Sequence, residues 1–328
     1  MKALLVDHSG KEPIMKTGEY ETPVPGDHDL LVKIEATALN RADLLQKKGH
    51  YPPPKGASPI LGLEMAGTVE TAGSEVTRFE PGDRVFGLLT GGGYAEYCIL
   101  HERMAMHIPV EFSFEEAAAI PEAFLTAFQA LKLLGKITPN EHVLIHAGGS
   151  GVGTAAIQLA KHLFNANVVT TAGRDSKLKL CKELGADLTI NYKEEEFDEV
   201  IESTFGKNRI DLIIDFVGSP YWHKNIRVLA MDGRLIYLSM LGGTNVQKAD
   251  LVPLLRKRLT VRGSTLRNRP EEYKMRLTSD FHSYVMERME EGKIRPVIDS
   301  IFDWEDAEQA HERMAENQNI GKIILSGM

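Results

Sequence analysis

Cysteine is nearly missing: among 328 residues only Cys98 and Cys181 carry a thiol, far apart and in no C-x-x-C pair. Two such thiols build neither a disulfide framework nor a four-cysteine zinc lobe, and they fit a reducing compartment. Also missing is any apolar run of the roughly eighteen residues that a membrane span needs. The N-terminal MKALLVDHSG lacks the long apolar core and small-residue cleavage site of a secretory leader. An excess of positive charge is absent too, since 38 Lys and Arg stand against 46 Asp and Glu, a net charge of −8. That balance argues against partners made of phosphate, whether nucleic acid or an anionic membrane. The one basic run, LLRKRLTVRG at 254–263, reads as a charged helix end entering a strand. A cytoplasmic protein that binds neither nucleic acid nor membrane is the expectation.

What is present is ample core: 43% hydrophobic residues in a chain of this length suit two domains. The first third reads as β-rich. LLVKIEATAL (30–39), MAGTVETAG (65–73) and DRVFGLL (83–89) are strand-like runs punctuated by PVPGD, PGD and GGG turns. From about 142 to 266 the rhythm changes, and apolar strands (HVLIHA, NVVTTA, LTIN, DLIIDFVG, RLIYLSM, LTVRGST) alternate with helical segments such as SKLKLCKELG. Continuous apolar strands alternating with amphipathic helices imply a parallel sheet covered on both faces. The last sixty or so residues hold a helix near 271–291, then strand, helix and strand, and are expected to return to the first domain.

The stretch LIHAGGSGVGTAAIQLAK at 144–161 opens this alternating region as strand, glycine turn and helix. A helix N-terminus there offers unpaired N–H groups and a positive dipole end, so the turn Gly148, Gly149, Ser150, Gly151 and Val152 is expected to hold a dinucleotide pyrophosphate. In the G-x-G-x-x-G register, Gly148 and Gly153 flank Ser150, a serine in place of the middle glycine. At the end of the second strand, TTAGRDSK puts Gly173, Arg174, Ser176 and Lys177 where an NAD site usually has an acidic residue. A small residue and two cations suit a 2′-phosphate, so NADPH is the expected cofactor; Asp175 is the residue through which NADH would compete.

Several phrases in order, LNRAD, LGLEMAG, GDRV, AAAIPEAFLTAF, HAGGSGVGTAAIQLAK and NIGKIILS, resemble the medium-chain dehydrogenase/reductase superfamily over nearly the whole chain. Within it, IPEAFLTAFQ and the Tyr221, Trp222, Lys224, Asn225 phrase are similar to the zeta-crystallin-like quinone oxidoreductases, most of all the tumour-suppressor-inducible subgroup. The resemblance implies an α/β chain with a GroES-like β-rich catalytic domain at 1–120 and 267–328, and a doubly wound Rossmann domain at 121–266. It implies cofactor contacts from Thr126, Tyr192, Phe216, Val217, Met240, Leu241, Gly242, Asn319, and Leu266 with Arg267 on a strand closing the site. Lys322 is left between reaching the cofactor and lying solvated. It also implies a homodimer formed through the sheet edge at RLIYLSM and LTVRGST.

The departures from zinc alcohol dehydrogenases matter equally. Asn40 and Asp43 stand near the first ligand position, and Gly62, Leu63 and Glu64 stand where Gly-His-Glu would be, so no metal is expected. Without a Lewis acid the acceptor must take hydride readily, which points to quinones, ortho-quinones among them, or activated enones. The resemblance places Asn40 and Tyr51 at the acceptor, hydrogen-bonding its carbonyl or, for Tyr51, donating a proton. The residues alone leave Asn40 equally open to capping the helix RADLLQKKG, and Tyr51 to packing in its loop. An NADPH-dependent quinone reductase is the leading expectation. The alternatives are an enoyl or alkenal reductase and, in another class, a non-catalytic NADPH-binding structural or RNA-binding protein.

Overall fold

The computed structural model describes residues 1–327, which divide into two compact units: residues 1–125 with 266–327, and Thr126–Thr265. The sequence reading put the breaks after 120 and before 267; the division falls inside the helix Pro121–Phe128 and just before Leu266.

The first unit is built on a seven-stranded sheet. Its central strand, Asp29–Ala38, alternates as a half-buried strand must: Leu30, Val32, Ile34, Ala36 and Ala38 are buried, while Lys33 is exposed. Glu64–Ala72 and Tyr97–His101 pair antiparallel with it. So does Lys322–Ser326 from the chain end, with Ala38 opposite Ile324, and Ile298–Asp303 extends the sheet beyond that strand. The tail therefore joins the first unit, as its change of rhythm implies. The apolar residues Leu30, Val32, Ile34, Met65 and Val85 pack as one core, and Leu61, Tyr94, Trp304 and Ile323 belong to another.

The second unit is a six-stranded, wholly parallel sheet. Its spatial order is Leu188–Asn191, Asn167–Ala172, His142–Ile145, Ile210–Asp215, Leu229–Tyr237, Thr260–Gly263. Numbered along the chain this is 3-2-1-4-5-6, the doubly wound order, whose crevice opens where the first strand is flanked by the second and the fourth. Leu144, Val169, Ile190, Ile213 and Leu235 pack together as the core of this unit. The basic run ends the helix Val252–Arg256 and enters the edge strand Thr260–Gly263, as read from the sequence. No helix among the described residues is long and apolar enough to cross a membrane.

Candidate functional site

The glycine turn sits at the crevice of the second unit. After the strand His142–Ile145 the chain turns through Ala147 at φ 51°. Gly148 N–H donates to Thr171 O at 3.0 Å, which ties the turn to the neighbouring strand. A Cβ on Gly148 would stand 2.1 Å from Thr170 Oγ1, and one on Gly153 would stand 2.3 Å from Ala147 O, so both positions require glycine. Ser150 replaces the middle glycine because it caps the helix Gly151–Gln158, its Oγ accepting from Gly153 N–H at 3.0 Å. Among the described residues no acceptor meets the amides of Gly151 and Val152, the orphan donors of that first turn. This cradle fits a dinucleotide pyrophosphate.

The residues read as a 2′-phosphate site come together beside it. Arg174 precedes the helix Asp175–Glu183 in extended conformation. The aliphatic stem of Lys177 lies over Gly149, whose Cβ would meet Lys177 Cδ at 2.7 Å. Gly173 is kept small by Tyr192, whose hydroxyl would be 2.7 Å from a Cβ there. Tyr192 is 46% exposed and is no part of the core. Asp175 accepts a long hydrogen bond, 3.5 Å, from Asn191 Nδ2.

Two loops at the carboxyl ends of the fourth and fifth strands are bonded to each other. Leu241 N–H donates to Phe216 O at 3.0 Å and Gly242 N–H to Val217 O at 2.8 Å, so Phe216, Val217, Met240, Leu241 and Gly242 form one rim. Behind the rim runs a buried chain that sequence reasoning missed. Thr171 Oγ1 lies 2.9 Å from His146 Nδ1, and His146 Nε2 lies 2.9 Å from Asn225 Oδ1. Asn225 Nδ2 then donates to Asp215 Oδ2 at 2.7 Å, and Asp215 Oδ1 accepts from Val217 and Gly218 N–H. Burial pushes the His146 pKa down, so the ring is neutral and its Nε2–H faces the Asn225 oxygen. The signal was present in the His of LIHAGG and the Asn of YWHKN, but nothing local says that they meet.

In the first unit the register of three strands assembles a second cluster. Lys322 opens the chain-end strand opposite the segment leading to Asn40, and Glu64 opens the strand on the other side. Lys322 Nζ donates to Leu39 O at 2.8 Å, to Asn40 Oδ1 at 2.7 Å and to Glu64 Oε1 at 2.6 Å. Lys322 is 4% exposed, so it is neither solvated nor free for a cofactor: both sequence readings of it are corrected. Asn40 Nδ2 donates to Glu64 Oε1 at 2.7 Å and at 3.3 Å to Ala38 O, so the amide expected to meet an acceptor carbonyl is already bonded within the protein. Asn40 does start the helix Arg41–Lys47, with its own N–H donating to Asp43 Oδ2 at 2.7 Å. Glu64 Oε2 accepts from Glu122 N–H at 2.7 Å.

Charge is tightly managed around this cluster. Burial, opposed by the Asn40 and Gly62 amides, pushes Asp43 up to about 6. Burial, with the Glu64 charge second, pushes the Glu122 carboxyl up to about 8. Burial also raises Tyr51, so its phenol stays protonated. The Tyr51 ring faces Arg267, whose Cζ lies 5.5 Å from the ring centroid. Leu266 and Arg267 are not on a strand, which corrects the sequence reading. The strand ends at Gly263 and the two lie in a turn closed by Arg269 N–H to Leu266 O, because the sheet edge stops short of the Arg-Asn-Arg-Pro run. Asn319 is buried, with Nδ2 donating to Gly321 O at 2.8 Å, a local turn contact. Thr126, at the start of the second unit, is half-buried on the helix Pro121–Phe128.

Residues 151–283 match the model for zinc-binding dehydrogenases, and residues 26–110 that for the alcohol dehydrogenase GroES-like domain. Zinc does not fit the residues present. Zinc takes thiolate, imidazole or carboxylate donors, and an ammonium already sits among Asn40 and Glu64. Both cysteines are buried, with burial pushing Cys181 up to about 12 and Cys98 higher still. Among the described residues no three His, Cys, Asp or Glu side chains group to hold a metal. The chain is 30% identical over 329 residues to a quinone oxidoreductase of Lama guanicoe, covering 99% of this chain and 97% of that relative. Among solved structures, an NAD-dependent alcohol dehydrogenase superposes with a TM-score of 0.87 at 31% identity over the whole of both chains. A mycobacterial protein solved with NADPH superposes at 0.85 with 27% identity, again over both whole chains. With a GroES-like unit, a 3-2-1-4-5-6 parallel sheet and end-to-end identity to such a relative, the chain belongs to the quinone oxidoreductase family of the medium-chain dehydrogenase/reductases.

Proposed function

We propose that this protein is a zinc-independent NADPH:quinone oxidoreductase, of the kind its subgroup phrases resemble, with ortho-quinones among its acceptors. The observation that carries the reading is the Lys322 ammonium bonded to Glu64 and Asn40 where a catalytic metal would need open donors. An acceptor that needs no Lewis acid follows, and quinones are such acceptors. The glycine turn and the Gly151 and Val152 amides hold the pyrophosphate, and Lys177, Arg174 and Tyr192 receive the 2′-phosphate. When bound, the reduced nicotinamide supplies hydride. The protonated Tyr51 phenol is the hydrogen-bond donor to the acceptor, and Asn40, fixed at both ends of its amide, shapes the floor beside it.

The test is NADPH oxidation by chelator-treated protein with 1,2-naphthoquinone and an enoyl thioester offered in parallel and NADH as the control donor. Quinone turnover with NADPH preferred supports the reading; turnover of the thioester alone, or activity lost on chelation, overturns it.

A homodimer through the Thr260–Gly263 edge accompanies the proposal. All four residues of that strand are exposed and it pairs on one side alone, with Leu229–Tyr237. Light scattering should show twice the chain mass, and Arg262→Pro should halve it.

A further inference from the structure

Arg267 is a buried cation with both amino groups of its fork unanswered. It is 3% exposed, and its Nε donates to Thr90 O at 2.8 Å. Its Nη1 and Nη2 are shielded from water and meet no hydrogen-bond acceptor in the protein. A guanidinium keeps its charge at any working pH, and leaving two of its amino groups buried and unpaired is costly. The surroundings discharge it only in part. Of the carboxyls nearby, Asp43, pushed up to about 6, is mostly ionised near pH 7, whereas Glu122, at about 8, is mostly neutral, and neither bonds the fork. A second buried cation adds to the demand: Lys274, 4% exposed, donates to Thr90 Oγ1 at 2.8 Å and lies 3.4 Å from Arg267 O. Thr90 thus anchors both side chains, and the bond to Nε sets the plane in which the two Nη groups are presented. The Tyr51 ring lies against the fork and offers a flat ligand an aromatic face, its centroid 5.5 Å from Cζ.

We propose that Arg267 grips the acceptor, its Nη1 and Nη2 donating to a pair of adjacent oxygens such as those of an ortho-quinone and of the catechol it becomes. This rests on the quinone reading above and reassigns Arg267 from the cofactor to the acceptor. A quinone that receives hydride gains two electrons and one proton: one oxygen becomes a hydroxyl, the other an aryloxide. A proton from water then completes the hydroquinone. The permanent charge of Arg267 meets the aryloxide as it forms, with no reorganisation, because the fork is already fixed. A pair of neighbouring oxygens engages both Nη groups, whereas a single oxygen leaves one of them unpaired, so the same side chain selects ortho- over para-quinones.

The experiment is equilibrium binding of 4-nitrocatechol, followed by its visible spectrum, against 4-nitrophenol, which has one oxygen at the ring position to be gripped. Wild type, Arg267→Met and Arg267→Lys are compared, with the NADPH dissociation constant measured separately by fluorescence. Arg267→Met is expected to weaken nitrocatechol about tenfold or more, the loss of charge-assisted hydrogen bonds, and to leave NADPH binding within about threefold. Arg267→Lys restores a point charge without the fork, so it should recover nitrophenol and not the nitrocatechol advantage. If Arg267→Met does not fold, Arg267→Lys reads the same loss of that advantage. Unchanged nitrocatechol binding in a folded variant overturns the proposal, and so does a loss confined to NADPH, which returns the guanidinium to the cofactor. Failure of the wild type to oxidise NADPH with any quinone removes the quinone reading by itself, independently of the nitrocatechol result.

Discussion

Lys322 and Glu64, 258 positions apart in the chain, form an ion pair with Nζ 2.6 Å from Oε1 and with the carboxylate wholly buried. Pairs of this kind gain little over an apolar replacement, but removing one partner strands the other's charge. Lys322→Met should therefore cost ~3–5 kcal/mol, read as a large fall in melting temperature. Adding Glu64→Gln to it should restore much of the loss. A Lys322→Met protein that melts like the wild type would show that the pair carries no such charge.

The raised Glu122 carboxyl sets a pH dependence. Its native value of about 8 lies above the ordinary 4.5, so the native state holds a proton that the unfolded chain has released. The stability tied to this proton is fully present below about 4.5 and is lost as pH rises towards 8. Glu122→Gln should gain on the wild type steadily through that window and then level off, by an amount on the order of a few kcal/mol. Melting curves at several pH values check it; a constant offset between the two proteins contradicts it.

His311 works in the opposite direction. Burial, with the Lys47 charge second, holds it down at about 3, while its Nε2 lies 3.1 Å from the Tyr94 hydroxyl. Stability from the neutral ring is present above the ordinary 6.5 and lost as pH falls towards 3. His311→Gln should be less stable than wild type at pH 7, and the gap should close between pH 6 and pH 4. A gap that widens on acidification would mean the imidazole is charged in the native state.

Lys177 should decide between the two nicotinamide cofactors. Replacing it with alanine removes a charge-assisted donor and should weaken NADPH about ten- to a hundredfold while changing NADH little. Equal losses for both cofactors would place Lys177 at the pyrophosphate, near the Gly149 turn on which its stem rests.

The buried chain behind the rim predicts a structural cost with a functional readout. Asn225→Leu leaves Asp215 Oδ2 and His146 Nε2 each without this partner, a loss of roughly 2–4 kcal/mol. Because Asp215 also holds the Val217 and Gly218 amides, cofactor affinity should fall as well. Unaltered cofactor binding would separate the chain from the rim.

Features resting on local chemistry were legible in the sequence. The period of two in residues 29–38, the strand–glycine–helix turn at 144–161 and the alternation of apolar strands with helices after 142 each follow from neighbours in the chain. They determined the two-unit α/β organisation, the doubly wound sheet and the glycine turn that precedes the helix Gly151–Gln158. Ser150 was legible as a departure from the glycine pattern, and the structure supplies its reason as a helix cap. The contacts that decide the chemistry were not local. Whether Lys322 meets solvent, cofactor or Glu64 depends on strand register between segments at opposite ends of the chain, and an apolar pattern states which face is buried without naming the strand that lies beside it. For the same reason only the tertiary structure showed the Asn40 amide bonded at both ends, His146 joined to Asn225, and the Arg267 fork buried with its two amino groups unanswered.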